Sequence, residues 1–323
     1  MNIASAALAA TVFSLALCGA AGAQPYPAQP LRLVVPVAAG GPTDILTRAV
    51  SPRFGEALGQ QVIIENRPGA GGTIATELVA KAVPDGYTLL MADISIASNP
   101  SLYKSVTYNV RDSFAPVGIV AVAPLVLVVN PSSPARSVKE LIQLARSQPG
   151  KLSYGAAPAT PTHFGPEVLK EAQGLEITFV PYKGIAPALV DLIGGRLSFA
   201  MLGISGAKTF IDSGKLRVLA ITGTRRAAAL RDVPTFAEAG VPLPDMDSGA
   251  WWGIVAPAGV ARDQIRKLNG ALAKALSAAD VRGRLTALNF EPVSNSPEEF
   301  GALIRKEALK WARVIQRAGI RID

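Results

Sequence analysis

One histidine and one cysteine in 323 residues leave little room for most site chemistry. The cysteine, Cys18, lies in an apolar amino-terminal stretch that reads as an export signal. Once that signal is removed, the chain has no thiol and no disulfide. With His163 as the only imidazole, zinc ligation has almost no material, and any Ser-His-Asp/Glu arrangement has to use that one residue. No GxSxG nucleophile elbow and no GxxxxGK(S/T) phosphate loop occurs. Charged residues (17%) and aromatics (6%) are sparse, but a hydrophobic content of 49% supports sizeable cores and argues against disorder. Runs of five like charges are also absent. The excess of 32 basic over 24 acidic residues would suit nucleic acid, an anionic membrane surface or an anionic small molecule. Its even spread along the chain argues against nucleic acid.

The amino terminus is apolar or small from Ile3 to Leu17, and the first charged side chain is Arg32. Ala21-Gly22-Ala23 offers the small residues that signal cleavage requires, so cleavage is expected after Ala23. The missing Lys or Arg before the apolar run leaves an uncleaved anchor as the alternative, since Ile3 to Ala23 is barely long enough to span a bilayer. The Gly and Ala of its second half favour cleavage. Leu17 is bulky where a lipoprotein signal would place a small residue before Cys18.

Length suits about two domains, at roughly 150 residues each. Apolar runs at 31–36, 61–65, 87–91, 117–121, 124–130, 151–154, 176–180, 197–202, 216–221 and 251–256 alternate with helical segments such as 43–58, 73–82 and 138–147. That alternation predicts an α/β fold of largely parallel strands covered on both faces. Pro52 is expected to kink or shorten the first helix. Ser296, Pro297 and Glu299 form a capping-box signature for a last helix that Gly319 ends, with Phe300, Leu303, Ile304, Ala308, Trp311 and Ile315 on one face. Trp311 is therefore a core residue. Pro/Ser-rich breaks at 130–137 and 240–250 bracket a middle segment, which predicts one domain inserted into another, a double crossing and a cleft between the two.

Three loops follow strands and carry hydrogen-bond donors. Ala38-Ala39-Gly40-Gly41 precedes a helix at Thr43, where glycines and unpaired helix amides either cradle an anion or only make a tight turn. "MADISIASNPSLY" (91–103) supplies Ser95, Ser98 and Asn99, and "GAAPATPTHFGPEVLK" (155–170) supplies Thr160, Thr162 and His163. All three lie just beyond carboxyl ends of strands, where open α/β sheets place ligands. "NRPGAGGT" (66–73) lacks the third glycine of a dinucleotide fingerprint and reads as a tight turn. His163, alone at a helix start, reads as a hydrogen-bond donor to structure or ligand rather than a base.

The segments "VPVAAGGPTDILTR", "VIIENRPGAGGTIATELVAKAVPDGYTLL", "NPSLY", "FVPYKGIAPALVDLIGGRL", "GKLRVLAITGTRRAAALRDVPTFAEAG" and "WWGIVAPAG" resemble, in order, the Bug family. These are the TctC-like periplasmic solute-binding receptors of tripartite tricarboxylate transporters. The resemblance implies a two-lobed type II periplasmic-binding-protein fold: two mixed, mostly parallel sheets flanked by helices, with a double-crossover hinge. Residues 24–130 plus 246–323 would form one lobe and 131–245 the inserted one, after a signal peptide at 1–23. The implied function is capture of a small mono- or dicarboxylate, aromatic ones included, for delivery to a membrane permease by a monomer. No catalysis, cofactor or metal is implied. Its implied ligand residues are Ala39, Gly40, Gly41, Pro42, Thr43, Asp44, Ser95, Ser98, Ala157, Thr160, Thr162, His163, Gly203 and Ile204.

This chain departs from the family pattern in three places. Val37 stands where Phe is common, "AAPATPTH" is poorer in Gly and Ser, and Gly203-Ile204 replaces a polar pair. Without an acidic group at 203–204, a plain carboxylate is expected rather than an amino acid. Lys183, in "VPYKG", is a candidate counter-charge, and Asp44 would repel a carboxylate unless it caps the loop. A ligand-sensing subunit of a sensor kinase and an exported bilobal enzyme using His163 are the alternative functions.

Overall fold

The computed structural model describes residues 26–158, 160–246 and 249–320, so the expected signal peptide and its cleavage after Ala23 lie outside the described residues. The chain first builds β1 (Leu31–Val35), α1 (Pro42–Leu58), β2 (Val62–Asn66), α2 (Thr73–Ala80), β3 (Thr88–Asp93), α3 (Ser95–Leu102) and β4 (Phe114–Ala123). It next forms β5 (Leu125–Val129), α4 (Val138–Ser147), β6 (Ser153–Ala156), α5 (Pro161–Gln173), β7 (Thr178–Pro181), α6 (Ile185–Ile193), β8 (Ala200–Gly203), α7 (Ile204–Asp212) and β9 (Arg217–Ile221). It ends with β10 (Ala250–Pro257), α8 (Arg262–Ser277), α9 (Ala279–Ala287), β11 (Glu291–Pro292) and α10 (Pro297–Ala318). Each of the ten apolar runs from 31–36 to 251–256 overlaps a strand. The two-residue β11 has no such run to announce it.

A six-stranded sheet takes the order β11-β4-β10-β3-β1-β2. A second sheet joins β8-β5-β9 and, through a bridge from Tyr154 to Phe199, the parallel pair β6-β7. Helices cover both faces, so strand residues alternate between two cores: Val34 packs into one, Leu33 and Val35 into the other. Among the described residues no helix is long and apolar enough to cross a membrane.

The sheets are mixed, but less parallel than the sequence pattern predicts. β1 runs parallel to β2 and β3, whereas β10 and β5 each run antiparallel to both neighbours. The reason is the double crossing. β3, β4, β8 and β9 arrive at the gap between the sheets, while β5 and β10 start there and lead away. Only Pro124 separates β4 from β5, so the first crossing is at Pro124. A boundary at residue 130 would leave β5 in the wrong sheet. "NPSSPARS" is a loop after β5, pinned by Arg217, whose guanidinium donates to the carbonyls of Pro131, Ser133 and Ala135.

α1 runs past Pro52 to Leu58 and ends at Gly59, in the left-handed region at φ 73°. The helix is not shortened: Leu46, Val50, Phe54 and Leu58 bury one face, which outweighs the roughly 3 kcal/mol of an interior proline. α10 has the expected capping box, with Glu299 N donating to Ser296 Oγ (3.2 Å) and Ser296 N to Glu299 Oε2 (2.8 Å). Its buried face also holds Glu307 and Lys310, while Leu303 and Ala308 are only half-buried.

Candidate ligand-binding site

A cavity of about 650 Å³ opens between the two sheets. The first sheet contributes the ends of β1 and β3, the starts of α1 and α3, and the amino end of β10. The second contributes the starts of α5, α6 and α7 and the end of β8. Helix amino ends present unpaired amides and partial positive charge, which suits an anion without any cationic side chain. None of the described lining residues is Lys, Arg or His.

Of the sequence-predicted residues, Pro42, Thr43, Ser95, Thr160, Thr162, Gly203 and Ile204 line the cavity. Thr160 Oγ1 donates to the Ala157 carbonyl (2.8 Å), and the Thr160 and Thr162 hydroxyls are 2.7 Å apart. Ala39, Gly40, Gly41, Asp44, Ser98, Ala157 and His163 do not line it. The opening glycines serve a different partner from the expected anion. Gly40 sits at φ 87° and its N–H donates to Asp44 Oδ2 (2.9 Å). Asp44 also accepts from Arg48 Nε and Asn66 Nδ2, each at 2.9 Å. Arg48 first, then the Gly40 amide and Asn66, hold its carboxyl down at about 2 against the cost of burial. Asp44 is therefore the clasp of its own loop.

His163 is buried behind the cavity wall, stacked on Phe179 with ring centroids 4.0 Å apart and 15° between planes. Burial lowers its pKa to about 4, and so keeps the ring neutral near pH 7. Lys183 is not a lining residue, and Tyr182 Oη donates to Asp191 Oδ2 (2.5 Å).

Sequence reasoning missed several lining residues. Gly69, Gly71 and Gly72, read as a tight turn, form a 3₁₀ turn that also walls the cavity. Asn99 Nδ2 donates to the Gly71 carbonyl (2.8 Å). A Cβ on Gly71 (φ 61°) would lie 2.6 Å from Tyr103 Oη, another lining residue. Gly71→Ala is therefore expected to displace the Tyr103 ring and weaken ligand binding at least about tenfold, with a stability loss of about 1–2 kcal/mol from the left-handed backbone. Ligand titration and urea unfolding of the same variant read the two effects separately.

Trp251 and Trp252 come from β10 and Phe290 from the α9–β11 connection. Trp252 stands edge-on to Phe290 (5.0 Å, 88°), and its indole N–H donates to Thr43 Oγ1 (2.8 Å). Thr43 in turn reaches Asp93 Oδ2 (3.4 Å), and Ser95 N donates to Asp93 Oδ1 (2.9 Å). Asp93, the last residue of β3, is the one acidic lining residue described. The apolar walls and few convergent polar groups are those of a small-molecule site.

Fold and cavity together are those of a two-sheet binding protein with a candidate ligand site in the intervening cleft. Residues 46–320 match the tripartite tricarboxylate transporter family receptor, TctC, and the chain belongs to that family. It is similar to the periplasmic binding protein BugD (34% identity, TM-score 0.74), with 92% of this chain and 100% of that one covered. It is also similar to Rpa4515 of R. palustris, solved with adipate (36%, TM-score 0.76, 92% and 100% covered). A third similar structure is MatC of Rhodopseudomonas palustris with bound malate (32%, TM-score 0.73, 90% and 100% covered). The fold is that of the TctC/Bug periplasmic solute-binding proteins.

Proposed function

We propose that this protein is an extracytoplasmic receptor that closes on a small carboxylate and delivers it to a tripartite tricarboxylate transporter permease. The two sheets with their helices are its lobes, and the hinge includes Pro124 and the returning segment 222–246. The observation that carries this reading is the cleft itself. It combines a wall of Trp251, Trp252, Phe290 and Ile204 with hydroxyls from Thr43, Ser95, Thr160 and Thr162, and with helix amino ends from both lobes. Such a cleft favours a mono- or dicarboxylate with an apolar body, aromatic rings included, and the volume of about 650 Å³ is in the range of small-molecule sites. Relatives solved with adipate and malate support the carboxylate class. Loss of the amino-terminal segment after Ala23 would release the receptor into the periplasm.

The test is a thermal-shift screen of residues 24–323, unfolded and refolded first to remove any carried ligand. Acids of one to three carboxylates, aromatic acids, amino acids and neutral amides form the panel. At about 100 times its Kd a true ligand adds roughly 2.7 kcal/mol and a clear rise in Tm. A shift confined to one class of acid supports the receptor and names its ligand group. Shifts only with amides or amino acids would overturn the plain-carboxylate assignment.

A further inference from the structure

We infer that Asp93 takes up a proton when the cavity takes its acid, so that the ligand carboxylate is held through that proton rather than by a cationic side chain. The inference rests on the receptor reading above and adds the device that selects the ligand's charge state. Asp93 is half-buried at the cavity wall. Its Oδ1 accepts from Ser95 N at 2.9 Å, whereas Oδ2 has the Thr43 hydroxyl at 3.4 Å, a long and weak contact. The Ser95 hydroxyl also bonds the carboxylate, and Oδ2, with its long Thr43 contact, is the oxygen assigned to a further partner.

Among the described residues, the surroundings supply no counter-charge. α1 brings the Thr43 hydroxyl, α3 brings Ser95, and β10 brings the Trp252 indole. The facing titratable group is the Tyr108 phenol, in the α3–β4 connection, which burial and then the Asp93 charge keep protonated. Tyr103 contributes the phenol of the lining itself. Asp44, on α1, is committed to Arg48 and Asn66. Burial, opposed by the bonds from Ser95 and Thr43, already raises the Asp93 carboxyl above the usual range. A second carboxylate arriving in the same apolar cavity raises it further, because two such groups sharing a site cannot both stay ionised cheaply. The proton comes from solvent, sits on Oδ2 and is donated to a ligand oxygen. The site then carries the ligand's charge alone, which the helix amino ends can balance.

The sign follows directly. A carboxyl whose pKa is higher in the complex than in the free protein gives binding that is strongest at low pH. Affinity then falls up to about tenfold per pH unit between the two values, one proton being linked. Adipate, succinate, malate and aspartate are the probes, the last three differing only in H, OH or NH₃⁺ at one carbon. Calorimetric titrations of the refolded protein from about pH 6.5 to 8.5, where the probes' carboxyls are largely ionised, are run in two buffers of different ionisation heat. The expected result is uptake of about one proton per adipate or succinate bound, with affinity falling as pH rises. In D93N, whose amide is a permanent donor, the proton uptake and the pH dependence should both vanish.

Binding of adipate or succinate without proton uptake overturns the inference and leaves the receptor standing. So does a preference of about 100-fold or more for aspartate or malate over succinate that D93N abolishes, since Asp93 would then be an ionised acceptor. If no acid binds at any pH, the carboxylate reading falls and this inference with it. Should D93N fail to fold, the proton count of the wild-type protein decides alone.

Discussion

Glu307→Ala is expected to cost about 3–5 kcal/mol of unfolding free energy. Glu307 and Lys310 are 1% and 4% exposed. Glu307 Oε1 accepts from Lys310 Nζ, and Oε2 accepts from the Trp311 indole N–H at 2.8 Å. Lys310 also donates to the Asp245 carbonyl (2.8 Å) and lies 4.2 Å from the centre of the Trp311 ring. Trp311 stacks on Phe164 of α5 at 4.7 Å. The cluster thus ties the last helix to a helix of the second sheet and to the returning segment. Burial already pushes the Lys310 ammonium below its ordinary pKa, against the pull of Glu307, so removing Glu307 leaves an ion in an apolar site with a carbonyl as its remaining bond. Urea unfolding checks the value, with exposed Glu298→Ala as a control expected to stay within about 0.5 kcal/mol. Replacing both members by leucine should recover most of the loss. A loss of under about 1 kcal/mol in the single variant would show that water reaches the pair.

Stability is also expected to fall by about 3 kcal/mol between pH 6.5 and pH 4 on account of His163 alone. Its folded pKa, lowered by burial to about 4, lies below the 6.5 of an ordinary imidazole. In that window the unfolded chain binds a proton that the folded chain refuses. The contribution is therefore intact above pH 6.5, is lost as pH falls towards 4, and changes no further below that. Because the chain has a single histidine, its imidazole resonance is unambiguous, and an NMR titration reads the folded pKa directly. His163→Phe, which preserves an aromatic ring against Phe179, should flatten this part of the stability profile. An imidazole titrating near 6.5 in the folded protein would show that the ring is solvated and not part of the core.

His163 and Asp44 show why polar residues in a loop are hard to read. Both stand in donor-bearing strand-to-helix connections, where a ligand contact and a structural bond have the same sequence signature. Only the neighbours distinguish them: Phe179 and Tyr154 around His163, and Arg48, Asn66 and Gly40 around Asp44. The glycines of 69–72 form the expected turn, and their place in the cavity wall is hidden for the complementary reason. A turn glycine and a cavity-wall glycine require the same positive φ, and Tyr103, which crowds Gly71, comes from a separate segment.

What the sequence by itself determined is most of the elements and the ends of the last helix. Continuous apolar runs make strands buried on both faces, and the Ser296–Glu299 box and Gly319 bound α10, because hydrophobic period and capping are local properties. Strand direction, the crossing at Pro124 and the composition of the cleft were decided only by the tertiary structure. β10 leads away from the cleft, so its amino end, with Trp251 and Trp252, borders the cavity, where a rule based on the carboxyl ends of strands does not look. Asp93 acquires its character in the same way, since a carboxyl's pKa depends on the groups that surround it. Thr43, Trp252 and Tyr108 come from three separate parts of the chain.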